Sequence, residues 1–267
     1  LLGTSVDGRY VPIPIAGWKF TPRMASVMLG LRRPVPLEFL SGSRLAVIIP
    51  VRDREAHLAV LIPRLSAKLQ EQGISARIIV VEQEAGQFWN KGAMINVGMR
   101  HASEKYDYFC FHDVDAIPVE ANYLCPSQPL RLVTHLIGSR NGLARPPRYF
   151  GGVITLTREH AFAANGFSNQ YWGWGKEDDD FLFRLIFSGC VCYSDSAGTF
   201  EDLHNPAHQQ VNLSAVIKPA TLRRNRRLRS LLMRGLLDPE KDGVNTAFGE
   251  VLSHTVNVSY ERLLVRV

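Results

Sequence analysis

The sequence predicts an α/β fold built on a parallel sheet. Three observations predict it. Strand-like and helix-like runs alternate as strand, helix, strand, helix, strand within about 70 residues, the pattern of parallel strands with right-handed crossovers. Each of the three strand ends carries a polar cluster: Arg52 and Arg54, then Glu82-Gln83, then Asp113 and Asp115. Ligands of such sheets bind beyond the carboxyl ends of the strands. Composition is that of an ordinary globular chain, 46% hydrophobic and 21% charged, which excludes a wholly disordered or collagen-like protein.

Leu45-Ala-Val-Ile-Ile-Pro50 is an apolar run rich in β-branched residues and the first strong strand. A helix follows over roughly 55–72, with Leu58, Leu61, Leu65 and Leu69 on one stripe. Ala76 to Val81 reads as a second buried strand and Asn90 to Ala102 as a second helix. Tyr106 to Phe111 reads as a third strand, ending in His112-Asp-Val-Asp115. The second half is less regular. It holds a strand at Gly152–Leu156, a helix near 158–164, a Gly- and Trp-rich loop at 172–175 and a helix from Glu177 to about Ser188. A basic run, Arg223-Arg-Asn-Arg-Arg-Leu-Arg229, and a strand at Thr255–Tyr260 complete it. Residues 1–43, with Pro12, Pro14, Pro22, Pro34 and Pro36, read as an irregular extension laid over one domain.

The 267 residues and 29.9 kDa suit one large domain or two small ones. No apolar run reaches the ~18 residues of a membrane span, so the chain reads as soluble. It begins with Leu1, which reads as a piece of a longer protein. Lys plus Arg is 31 against 25 Asp plus Glu, a formal charge of +6, with 24 Arg and only 7 Lys. That balance suits nucleic acid, an acidic membrane surface or a phosphorylated substrate, or reflects an Arg-rich genome. Four cysteines, Cys110, Cys125, Cys190 and Cys192, are too few for a disulfide scaffold and lack zinc-ribbon spacing. They read as buried thiols, with a bridge from Cys125 as the alternative.

Several segments carry chemistry. Asp113 and Asp115, at i and i+2 in an extended chain, put two carboxylates on one side of a strand end, where Mg²⁺ or Mn²⁺ bridges carboxylate and phosphate. Trp172-Gly-Trp174-Gly175-Lys-Glu177-Asp178-Asp179-Asp180 places four acids at a helix start, which the helix dipole alone accounts for. The two tryptophans on a glycine-hinged loop suit something more: sugar stacking, lid closure and a carboxylate acting as general base. Phe150-Gly-Gly152 lets backbone approach a ligand closely. Asp202 and His204 could complete a metal site begun by Asp115.

His112-Asp-Val-Asp115, Tyr149-Phe-Gly-Gly152 and Trp172-Gly-Trp-Gly-x-Glu-Asp-Asp-Asp180 together resemble the β-1,4-galactosyltransferase family, glycosyltransferase family 7, in order and spacing, from about Val47 to the C-terminus. The His before Asp113, and Leu203-His204-Asn-Pro-Ala207, look most like the xylosylprotein branch, and Asp242-Gly-Val-Asn245 resembles a late family segment. The resemblance implies a GT-A fold, with a Rossmann-like nucleotide-binding half at 44–118 and an acceptor-binding half at 119–267. It implies an inverting, Mn²⁺-dependent transfer of galactose from UDP-galactose to a sugar hydroxyl of a glycan or glycolipid. Residue by residue, it implies that Pro50, Arg52 and Arg54 hold the uridine diphosphate, with Trp89 by the uracil and Lys91 near the phosphates. Asp113 and Gly152 would face the nucleotide sugar, and Asp115, Asp202 and His204 would hold the metal. Trp174 would be the lid over donor and acceptor, Glu177 would grip the donor sugar, Asp178 would be the base and Asp179 would hold the acceptor. Tyr149 sits where bulk is associated with galactose over N-acetylgalactosamine. The chain departs from the family pattern in three ways. Asp202 stands where the xylose-acceptor branch has His, Lys91 stands where the family has Arg, and the lumenal cysteine pattern is missing.

Two other readings compete. One keeps the mechanism and changes the donor to UDP-N-acetylgalactosamine or UDP-glucuronate. The other is a basic module contacting nucleic acid or membrane through Arg223–Arg229. With no interleaved aromatics or nucleic-acid fold signature, nucleic acid is not expected; a helix near the acceptor site or an anionic membrane patch is. Arg-rich composition and sparse cysteines fit a bacterial cytoplasmic enzyme at the membrane periphery; family relatives that face the Golgi lumen supply the alternative. Asn212-Leu-Ser and Asn257-Val-Ser are sequons, the second inside an expected buried strand.

Overall fold

A computed structural model describes residues 8–14, 36–138, 146–203 and 219–267. The strands in chain order are β1 (Tyr10–Pro12), β2 (Phe39–Leu40), β3 (Leu45–Val51), β4 (Ala76–Gln83), β5 (Tyr108–His112), β6 (Ala116–Glu120) and β7 (Cys125–Pro126). They continue with β8 (Leu130–Arg131), β9 (His135–Ile137), β10 (Val153–Thr157), β11 (Tyr193–Asp195), β12 (Thr199–Asp202), β13 (Glu250–Val256) and β14 (Tyr260–Arg266). The helices are α1 (Glu55–Glu71), α2 (Lys91–Ala102), α3 (Arg158–Ala163), α4 (Glu177–Phe187) and α5 (Pro219–Met233).

Nine strands form one mixed sheet in the order β1-β11-β8-β10-β5-β3-β4-β14-β13. Its centre is the parallel unit expected from the sequence: β3 pairs in parallel with both β4 and β5. The strand β3 is buried along its whole length because helices or loops cover both faces. On one face, Leu58, Leu61, Leu65 and Leu69 of α1 pack with Val47 and Ile49. On the other, α2 packs Met94, Ile95 and Met99 with Ile48 and Phe111. Gly98 is what lets α2 sit so close: a methyl there would lie 2.6 Å from Ile48 Cγ2. A three-stranded sheet, β6-β12-β9, brings Asp202 alongside the end of the Asp113–Asp115 turn.

Two expectations are corrected. The C-terminal strand is a hairpin, β13 and β14, turning at residues 257–259. The run from 255 to 260 holds alternating polar and apolar residues that fit a strand, but Asn257 accepts hydrogen bonds from the Ser259 and Tyr260 amides and turns the chain. Asn257 is therefore exposed at the hairpin tip, not buried. The second correction concerns the extension. Tyr10–Pro12 is an edge strand of the main sheet, paired with β11, so part of residues 1–43 is integral to it. The four cysteines are free and buried, which rules out a bridge from Cys125. No helix among the described residues is long and apolar enough to cross a membrane. The Asn212 sequon and His204 lie outside the described residues.

Candidate active site

The carboxyl ends of the parallel neighbours β3, β4 and β5 lie along one edge of the sheet. Pro50 is buried near the end of β3, paired with Val81. Just beyond, Arg52 donates to the Gln87 carbonyl at 2.6 Å, and its guanidinium lies 5.8 Å from the centre of the Trp89 ring. This cation–π pair makes a shelf from the loops after two neighbouring strands. Arg54 closes the turn into α1 and faces the carboxylates of Asp115 and Asp113; burial lowers its pKa, and those charges oppose the shift.

Lys91 is the hub. It is the first residue of α2, whose cap Asn90 is fully buried and tied to Gln83 and Asn169. Its ammonium lies 2.8 Å from Asp113 Oδ1 and 3.2 Å from Asp178 Oδ1. Burial alone would lower the Lys91 pKa, but Asp113 and Asp178 outweigh it and raise it well above the ordinary value. One cation thus links the Asp-x-Asp turn to the acidic helix, although the two are far apart in sequence.

The Asp113–Asp115 turn is braced on three sides. Asp113 N–H donates to the Gly152 carbonyl at 2.8 Å, and Leu203 N–H donates to the Asp115 carbonyl at 2.9 Å. His112, buried in β5, donates from Nδ1 to the Asp113 carbonyl at 2.9 Å and has Nε2 2.9 Å from the Tyr123 hydroxyl. Burial lowers its pKa to about 4, so the ring is neutral and serves as a brace. The Asp115 carboxyl is pushed up to about 6, first by burial and then by the charges of Asp113 and Asp202. The oxygen donors and mutual repulsion of Asp115 and Asp202 fit a hard divalent cation, which would relieve that repulsion.

The Trp172–Gly175 loop is held by its backbone. Gly173 N–H donates to the Trp89 carbonyl at 2.7 Å, and buried Asn225 of α5 donates to the carbonyls of Trp172 and Gly175. Gly173, Gly175 and Lys176 all have positive φ, so the loop makes a left-handed turn into α4. The turn leaves Trp174 standing 59% exposed.

The four acids then divide by role. Asp178 has Oδ1 on Lys91 and accepts from the Tyr149 hydroxyl at 3.3 Å through Oδ2. Burial raises its pKa. Glu177 beside it is pushed up to about 7, by burial and then by Asp178. Asp179 accepts from Lys176 at 3.0 Å and from Arg229 of α5 at 2.8 Å. Asp180 points away from the cleft into a buried network, 2.6 Å from Arg184 and 2.9 Å from the Tyr171 hydroxyl.

Two participants were not among the sequence candidates. Gly151, rather than Gly152, makes room for the Asp178 carboxylate, which a methyl on Gly151 would overlap. Gly152 instead supplies a left-handed turn, φ 80°, and a carbonyl for Asp113. The adjacent glycines gave no signal to separate them. Arg229 was hidden in a basic run whose helical phase alone shows which arginine turns inward.

These features can be set against known proteins. A sequence pattern for the N-terminal region of glycosyl transferase group 7 matches residues 23–126, and one described as the N-terminal domain of galactosyltransferase matches residues 142–206. The chain belongs to glycosyltransferase family 7. It is 43% identical over 157 residues to beta-1,4-galactosyltransferase 4 of Rattus norvegicus, covering 56% of this chain and 44% of that protein. It is 34% identical over 177 residues to beta-1,4-galactosyltransferase 7 of Drosophila melanogaster, covering 64% and 55%. The chain thus spans about half the length of the curated relatives it matches. The crystal structure of the catalytic domain of the Drosophila enzyme with xylobiose superposes with a TM-score of 0.69 at 28% identity, covering 84% of this chain and 94% of that one. A mutant of that enzyme, in complex with manganese, UDP-Gal and xylobiose, gives 0.67 at the same identity and coverage. The fold is the family's GT-A fold.

Proposed function

We propose that this chain transfers galactose from UDP-galactose to a sugar hydroxyl, with inversion, to form a β-1,4 linkage. One observation carries the reading: Asp178 sits in the space left by Gly151, oriented by Lys91 and Tyr149. A carboxylate fixed at both oxygens, with its pKa raised, is arranged to take a proton from an acceptor hydroxyl. Arg52, Trp89 and Arg54 line the side where a uridine diphosphate would lie, with Lys91 at its inner end. A divalent metal held by Asp115 and Asp202, with His204 as a further donor, would neutralise charge on the departing diphosphate. Glu177 and Asp113 face the donor sugar, while Asp179, fixed by Lys176 and Arg229, faces the acceptor. Closure of the Trp174 loop would exclude water and limit hydrolysis. The manganese, UDP-Gal and xylobiose bound by the Drosophila relative support this donor, metal and acceptor class.

The test is UDP release from a panel of UDP-sugars, with Mn²⁺ or EDTA, in the presence of β-xyloside and N-acetylglucosaminide acceptors. Mn²⁺-dependent release from UDP-galactose, reduced at least 10²-fold in Asp178→Asn with UDP binding retained, is expected. Release from another donor alone would overturn the galactose reading, and no UDP–Mn²⁺ binding would overturn the transferase reading.

A second proposal concerns docking. Arg223, Arg226, Arg227 and Arg234 are exposed and share one face about 100° wide at 100° per residue. None has an acidic partner among the described residues. The opposite face of the helix buries Asn225 and Leu232. Four guanidinium groups at about 1 kcal/mol each near an anionic surface suit a membrane carrying a lipid-linked acceptor. The buried free thiols suit the cytoplasmic face. Cosedimentation with anionic vesicles, lost in 0.5 M salt or in Arg223→Gln/Arg227→Gln, is expected; equal binding to neutral vesicles would overturn it.

A further inference from the structure

Outside the cleft, three side chains from three elements meet at one point. His101 lies in the last turn of α2, His254 on β13 and Glu261 on β14. The Nε2 of His101 is 2.9 Å from Glu261 Oε2, and the Nε2 of His254 is 3.1 Å from the same oxygen. The three ligand atoms all lie within 4.8 Å of one another, and the two imidazoles meet edge to face with centres 4.9 Å apart. We propose that His101, His254 and Glu261 form a binding site for Zn²⁺ or a similar borderline divalent cation, separate from the oxygen-lined site at Asp115 and Asp202.

The donor chemistry selects the ion. Two imidazole nitrogens and one carboxylate oxygen suit Zn²⁺ and disfavour Mg²⁺, which takes oxygen ligands. Tetrahedral ligands 2.0–2.2 Å from Zn²⁺ are about 3.3 Å apart. The observed spacings of 2.9 and 3.1 Å to the carboxylate oxygen therefore need to open by only a few tenths of an ångström. Each imidazole would ligate through Nε2 with its ring proton on Nδ1. The second carboxylate oxygen is already occupied: Arg77 Nε lies 3.2 Å from Oε1, which leaves Oε2 turned toward the histidines. Such an outer partner orients a metal-ligating carboxylate. The same guanidinium repels a cation and weakens the site. His254 is 38% exposed in its side chain, so water can reach a fourth coordination position.

The consequence is mechanical. Strands β13 and β14 form one edge of the nine-stranded sheet, and β13 is largely exposed. The helix α2 carries Lys91 at its other end. A cation at the three ligands would pin the hairpin to the helix that positions the active-site ammonium. The site stands whether or not the chain transfers galactose.

The test uses the EDTA-stripped protein and ZnCl₂. At a hundredfold excess over its dissociation constant, Zn²⁺ should raise the wild-type Tm by about 5 °C. MgCl₂ at the same concentration should not. His254→Gln and His101→Gln, which keep a hydrogen-bond donor near Glu261, should lose most of the Zn²⁺ shift. Each should also bind one fewer equivalent of zinc by metal analysis after dialysis, and their UDP release with Mn²⁺ should stay unchanged. No Zn²⁺ shift in the wild type, or the same shift and stoichiometry in both variants, would overturn the proposal.

Discussion

Gly151→Ala tests the active-site geometry most directly. The Gly151 backbone is not in the left-handed region, so alanine adds no backbone strain there. Its methyl carbon would lie 2.5 Å from Asp178 Cγ and 2.7 Å from the Tyr149 hydroxyl. Ordinary carbon contacts are about 3.5–4.0 Å, so the carboxylate must retreat by roughly 1 Å. Its bonds to Lys91 and Tyr149 are already 3.2 and 3.3 Å long, and such a move breaks at least one of them. A displacement of about 1 Å at a reacting group costs on the order of 10²-fold in rate, or about 2.7 kcal/mol of barrier. The assay is kcat for UDP release at saturating donor and acceptor, beside a thermal melt and UDP affinity. The expected result is a hundredfold lower kcat, with Tm shifted by no more than a few degrees and UDP affinity within about threefold. A kcat within twofold of wild type would refute the role given to Asp178. A Tm fall large enough to unfold the protein at assay temperature would refute the claim that Gly151 serves the site rather than the fold.

Three further outcomes follow from the same structure. Glu177→Gln should stabilise the metal-free protein at alkaline pH. The Glu177 carboxyl is raised from 4.5 to about 7, so the folded state holds its proton more tightly, and wild-type stability falls as pH rises between those values, by about 2–3 kcal/mol. Urea melts from pH 5 to 8 should show the two proteins diverging with pH, and parallel curves would refute the assignment. Arg184→Ala should cost about 3–5 kcal/mol by leaving buried Asp180 unpaired, and Asp180→Leu with Arg184→Met should recover most of it. Chemical denaturation checks this, and equal losses in both proteins would refute it. Asp202→Ala should raise the Mn²⁺ concentration for half-maximal UDP release at least tenfold, with kcat at saturating Mn²⁺ much less affected. An unchanged Mn²⁺ titration would remove Asp202 from the metal site.

The parallel centre of the fold was legible because its signals are local. β-Branched runs such as Leu45–Pro50, the leucine stripe of α1 and the buried Asn90 cap each specify an element within a few residues. The C-terminal hairpin was not, because Thr255–Tyr260 fits a strand until the Asn257 side chain bonds to the amides beyond it. The candidate site was legible as types and spacings: the Asp113 and Asp115 pair, the Trp-Gly-Trp-Gly loop, and the four acids after it.

By itself, then, the sequence determined a family, a set of elements and most of the residues that meet in the cleft. Tertiary structure decided what each does. Periodicity cannot say that Lys91 spans Asp113 and Asp178, since those carboxylates come from different strands and helices. Nor can it divide consecutive acids into one held by Lys91 and Tyr149, one held by Lys176 and Arg229, and a buried partner for Arg184. It cannot tell which of two adjacent glycines must lack a side chain, because that depends on what the fold places a few ångströms away. Local propensity is written in neighbouring residues; charge pairing and close contact depend on distances that exist only once the chain has folded.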